Sequence, residues 1–147
     1  MDNLRISLQD FKKIIDNSTN STHKYPQITI KRHKFKQVRN YLKDFAEDNG
    51  MYFVELNEFT DTYIGRVAGL YQQMADNDFA IIYLKMYDCI DYSQPNHQYA
   101  LYILNNILSD TNFNLQIVID YHITSKDTTD IQIPRPILNK CYVWEVE

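Results

Sequence analysis

Apolar residues recur at Leu4, Leu8, Phe11, Ile14 and Ile15, a three- and four-residue spacing that predicts a helix near the N-terminus. A polar stretch comes next at residues 17–24 (NSTNSTHK) and reads as a connector. Pro26 opens a short strand over 27–30. Phe35, Val38, Leu42, Phe45 and Ala46 then return to helical spacing, and Asn49-Gly50 supplies a stop. A strand at 52–56 (YFVEL) precedes a helix marked by Ile64, Val67, Ala68, Leu70, Tyr71 and Met74. The run at 80–84 (AIIYL) is apolar throughout, as expected of a strand buried on both faces. A helix at 99–108, a strand at 115–119 (LQIVI), a polar loop at 125–130, a short turn at 137–140 and a final strand at 142–146 (YVWEV) complete the pattern. Five strands alternating with helices predict an α/β three-layer sandwich on a mostly parallel sheet, with an extra N-terminal helix. The expected organisation is residues 1–24 as helix and connector, and 25–147 as the α/β domain.

A length of 147 residues, 44% apolar and 23% charged, fits one globular unit. The sequence has no apolar run long enough to span a membrane and no apolar core behind a basic start, so the expected setting is a reducing, cytoplasmic one. The two formal glycosylation sequons of the connector then carry no weight. Cys89 and Cys141 read as buried thiols, and four scattered histidines with no C-x-x-C pair give no support to a metal site. No cofactor is expected. The chain holds only 3 Gly but 12 Tyr and 13 Asn, a bias of the kind an AT-rich phage or mobile-element genome produces.

Candidate chemistry is sparse. Lys31, Arg32, Lys34, Lys36 and Arg39, with His33, form the densest positive patch and could contact phosphate at a helix start. A formal net charge of -4 weighs against a general nucleic-acid binder. Asp88 and Asp91 read as turn residues. Asp120 and His122 stand two apart on a strand and would share a face, but no nucleophile accompanies them, and Ser125 lacks a G-x-S-x-G setting. Many tyrosines, among them Tyr99 and Tyr102, suit a protein-contact surface.

The order of segments over residues 28–147 resembles the core α/β subdomain of AAA+ ATPases, a P-loop NTPase family. Ile28–Ile30 resembles the strand before the phosphate loop, and residues 52–57 (YFVELN) the second strand. Tyr63-Ile64-Gly65 resembles the segment that opens the next helix, and 80–84 the Walker B strand. Tyr87-Asp88 resembles the pair just past that strand, 115–122 the sensor strand, and 136–140 (PILNK) the segment ahead of the last strand at 142–146.

The departures from that family are systematic. A phosphate loop needs glycines and a G-K-[ST] ending, yet the first strand runs into KRHKFKQ and no glycine precedes Gly50. Lys85 and Met86 stand where the family carries an acidic pair that holds magnesium and orients water. The sensor position falls near His122, and the arginine-finger position on Lys140, which lacks a forked guanidinium. No counterpart of the family's lid comes before Glu147. The resemblance therefore implies a non-catalytic, AAA+-like interaction protein, a pseudo-ATPase acting as adaptor, inhibitor or structural subunit. Its expected partner is a protein, such as a true AAA+ ATPase or another copy of the chain. Docking would run through Tyr63, Ile64, Gly65 and Arg66 on one side and Arg135 and Lys140 on the other. The alternative is a nucleic-acid-binding accessory protein that uses residues 31–39.

Overall fold

The computed structural model describes residues 4–19, 27–30, 35–74, 78–87, 93–109, 115–122 and 135–146. The strands are β1 (Leu4–Ile6), β2 (Gln27–Ile30), β3 (Tyr52–Leu56), β4 (Ala80–Tyr87), β5 (Leu115–His122) and β6 (Tyr142–Val146). The helices are α1 (Leu8–Thr19), α2 (Phe35–Asp48), α3 (Asp61–Gln73), α4 (Pro95–Ser109) and α5 (Arg135–Leu138). The strands form one sheet in the order β1-β6-β2-β5-β4-β3, and every pairing is parallel. Parallel pairing demands crossovers, and the helices supply them on both faces.

The α/β class expected from the periodicity is present, but the sheet has six strands rather than five. Leu4–Ile6 forms an edge strand beside β6 and not the first turn of a helix. The helix starts after Ser7, whose hydroxyl accepts from the Asp10 amide at 3.1 Å and whose carbonyl accepts from the Phe11 amide at 3.0 Å. Residues 4–19 thus belong to the same sheet and the same core as the rest of the chain. At the end of α2, Gly50 has φ +66°, Met51 N donates to the Ala46 carbonyl at 2.8 Å, and Gly50 N donates to the Glu47 carbonyl at 3.3 Å. That pair of hydrogen bonds is a Schellman stop, and the left-handed backbone it requires is why a glycine stands there. Thr60 opens α3 by accepting from Ile64 N through its carbonyl, and Pro95 sits at the first position of α4, where its missing N–H costs nothing.

Two apolar layers hold the sandwich together. On one sheet face, Phe11 and Ile15 of α1 and Val38, Leu42 and Ala46 of α2 pack on Ile81, Tyr83 and Val118. On the other face, α3, α4 and α5 contribute Ile64, Val67, Ala100, Leu104, Ile107 and Ile137 above Ile82, Leu84, Met86, Ile117 and Ile119. Because side chains alternate along a strand, β4 and β5 feed both layers, which accounts for their unbroken apolar runs. Among the described residues, no helix is long and apolar enough to cross a membrane.

Candidate functional site

The strand order creates one topological switch point. β2 and β5 are neighbours, but the chain leaves β2 for α2 on one face and leaves β5 for α5 on the other. In open α/β sheets the crevice at such a point, outside the carboxyl ends of the strands, is the usual ligand position. Four polar side chains from three adjacent strands gather on the α1/α2 face near those ends: Glu55 of β3, Tyr83 and Lys85 of β4, and Asp120 of β5. The register brings them together by setting Glu55 opposite Tyr83 and Lys85 opposite Asp120. Arg39 reaches in from α2.

Glu55 has a cation at each oxygen. Arg39 Nε donates to its Oε2 at 2.9 Å, and Lys85 Nζ lies 3.3 Å from its Oε1. Partial burial pushes the Glu55 carboxyl up, but the hydrogen bonds and charges of Arg39 and Lys85 outweigh it and hold the group below its ordinary value of 4.5. The ion pairs therefore contribute stability above the unfolded carboxyl's range and lose it as pH falls through the depressed folded value. A Glu55→Gln variant should be less stable by about 0.5–1 kcal/mol at neutral pH, and the gap should close as pH falls through the depressed folded value. Urea unfolding of both proteins at neutral pH and in acid reads this, and a gap that persists in acid would show that the charge is not what matters.

Tyr83 and Asp120 are both fully buried, and the Tyr83 hydroxyl donates to Asp120 Oδ2. A carboxylate so enclosed is a built-in hydrogen-bond acceptor joining β4 to β5, not an exposed base. Of the Asp120–His122 pair, only Asp120 is placed this way; the His122 side chain lies outside the described residues, as do Asp88, Cys89, Asp91 and Ser125. Among the described residues, no group of three His, Cys, Asp or Glu side chains could hold a metal ion. Cys141 is half-buried and burial pushes its thiol up to about 12, against a small opposing pull from Lys140, so it is a poor nucleophile.

The residues expected to dock a partner are distributed unevenly. Ile64 is in the core at 1% exposure and therefore offers no surface, which corrects its place in the set; helical geometry turns it inward with Val67. Tyr63 is half-buried and Arg66 exposed, the guanidinium 4.3 Å above the Tyr63 ring. Gly65 lies on α3 with open space where a Cβ would be. Arg135 is exposed at the start of α5. Lys140 is engaged locally: its ammonium donates to Asn105 Oδ1 of α4 and, at 3.3 Å, to the Pro136 carbonyl of α5, an orphan helix-end acceptor. Of the basic patch, Lys36 is exposed and Arg39 is bound to Glu55, while Lys31, Arg32 and Lys34 lie outside the described residues.

No protein-family model and no curated protein matches the sequence. Solved structures do. A chain in the structure of Drosophila ORC bound to DNA superposes with a TM-score of 0.56 at 10% identity, over 93% of this chain and 29% of that one. The chain thus spans less than a third of the length of that neighbour, and the likeness is one of fold.

Proposed function

We propose that the chain is a non-catalytic module of AAA+-like fold, a pseudo-ATPase retained for its surfaces, which docks on another protein such as a true AAA+ ATPase. The observation that carries this reading is the end of β4. Where the resemblance sets an acidic pair, Lys85 holds its ammonium against Glu55, and Met86 is fully buried in the apolar layer under α3 and α4. Magnesium with a nucleotide needs an anionic ligand there and would meet a cation. The fold likeness to the ORC chain supports the AAA+-like part of the reading. So does the strand order, in which β5, the counterpart of the sensor strand, lies between β2 and β4. Tyr63, Gly65, Arg66 and Arg135 remain as candidate contacts.

Calorimetric titration with Mg-ATP and with Mg-ADP tests it. The expected result is no binding up to millimolar nucleotide. Saturable binding at micromolar levels would overturn the reading, because a working phosphate site would then exist at the switch point. A second reading, a nucleic-acid accessory role for the patch around Lys36, draws on the DNA-bound state of the ORC structure. It requires duplex binding that weakens steeply with salt.

A further inference from the structure

The sheet ends at β3, which among the described residues pairs with β4 alone. The hydrogen bond from Tyr52 N to the Phe79 carbonyl, at 3.0 Å, fixes the phase of that ladder. In a parallel pair, alternate residues of a strand give both backbone groups to the same neighbour. Tyr52, Val54 and Leu56 therefore bond to β4, and the N–H and C=O groups of Phe53 and Glu55 point away from the sheet. Such an edge is a template for another strand, and proteins blunt it with a bulge, a proline, an outward lysine or a very short strand. β3 has none of these. Its register runs unbroken over five residues, and its one charge, Glu55, is turned toward α2 and neutralised by Arg39 and Lys85. β1, at the other edge, is only three residues long.

We infer that the β3 edge takes up an extended segment of a partner protein as an added strand, one that alternates acidic and β-branched side chains. The inference rests on the docking-module reading and gives it a surface apart from Tyr63, Gly65, Arg66 and Arg135. The backbone sets the occupant's shape: outward donors and acceptors on alternate residues match an extended main chain, whereas a helix has spent its own on itself. The side chains set its chemistry. A strand added here lies about 4.8 Å beyond β3, with its side chains level with those of β3 on both faces. On the α2 face, the residue beside Glu55 meets a surplus of positive charge, because two cations share that one carboxylate and the Arg39 side chain is 33% exposed. Lys36, one turn earlier on α2, is exposed as well. A carboxylate complements that position and an ammonium opposes it. On the other face the neighbours are Val54, packed against the apolar layer, and Tyr52, 46% exposed, and both suit a β-branched side chain across the pair.

Titration with a capped heptapeptide alternating valine and glutamate, followed by amide NMR, tests this. The expected result is saturable binding with Kd below about 1 mM. In peptide excess, hydrogen exchange of the Phe53 and Glu55 amides should slow at least about tenfold. Exchange at Val54 and Leu56, already bonded to β4, should not change. A valine–lysine counterpart should bind at least about tenfold more weakly, and the valine–glutamate peptide methylated at every backbone nitrogen should not bind. Absence of binding by the valine–glutamate peptide overturns the inference, and so does binding that leaves the Phe53 and Glu55 amides exchanging as before. Equal affinity for the lysine peptide overturns the acidic chemistry. If the same two amides are protected without peptide as the mass in sedimentation velocity rises with protein concentration, the edge belongs to a second copy and the choice of partner is overturned. Nucleotide binding in the calorimetric titration would defeat the docking-module reading without altering the peptide result, so the two failures are distinguishable.

Discussion

Replacing Phe11 by alanine is expected to remove about 3–5 kcal/mol of folding stability, a large part of what a domain of this size possesses. Phe11 is fully buried between α1 and the sheet, in the same apolar layer as Ile15, Leu42, Ile81, Tyr83 and Val118. Deleting its ring would leave a cavity walled by residues from α2, β4 and β5, elements too rigidly placed to collapse into it. The contact between α1 and α2 is reinforced at the surface, where the Tyr41 hydroxyl donates to the Lys12 carbonyl at 3.2 Å and the Lys12 ammonium lies 5.2 Å from the Tyr41 ring. If α1 were a dispensable appendage ahead of a self-sufficient domain, the same substitution would cost under about 1 kcal/mol. Urea unfolding monitored by circular dichroism separates the two. A single transition at a much lower midpoint supports an integral α1, and an unmoved midpoint would show that the core closes without it.

This is also where reading the sequence falls short, for a physical reason. Three residues, Leu4–Ile6, are too few to display strand alternation, and Leu4 happens to stand four before Leu8, so they merge into the helical spacing of α1. Ser7 is the available signal, a capping residue just ahead of the true helix start. By contrast, Gly50 and the runs at β4 and β5 are legible because each arises from local chemistry: a left-handed stop, and burial on both faces. The polar cluster is legible only in part. Lys85 stands out against the acidic pair that the resemblance would set there, but its pairing with Glu55 and Arg39 depends on strand order and register, which no short-range pattern encodes. The same holds for Tyr83 and Asp120, thirty-seven residues apart and joined by one hydrogen bond. Ile64 illustrates the opposite error, since a motif carried over by resemblance says nothing about which side of a helix a residue occupies.

Met86→Glu, the substitution that would return a carboxylate to the water-orienting position of the resemblance, is expected to cost about 3–5 kcal/mol at neutral pH. The Met86 side chain is fully buried in the layer of Leu84, Leu104, Ile119 and Tyr121, so a glutamate there would be an ion enclosed by apolar groups. Burial raises a carboxyl's folded pKa above its unfolded value, and the linkage then runs opposite to that of Glu55. The unfolded chain ionises first, so the loss grows as pH rises above the unfolded value and shrinks as pH falls toward 4. Met86→Gln, which shares the shape without the titration, should be destabilised by an amount that does not change with pH. Chemical unfolding of both variants at pH 4.5 and pH 8 distinguishes them. A Met86→Glu protein as stable as the parent at pH 8 would mean that the site admits water and accommodates the charge. The proposed non-catalytic reading would then rest on Lys85 alone. The expected pH-dependent loss would mean that this layer is committed to packing and does not admit an ionised carboxylate at this position.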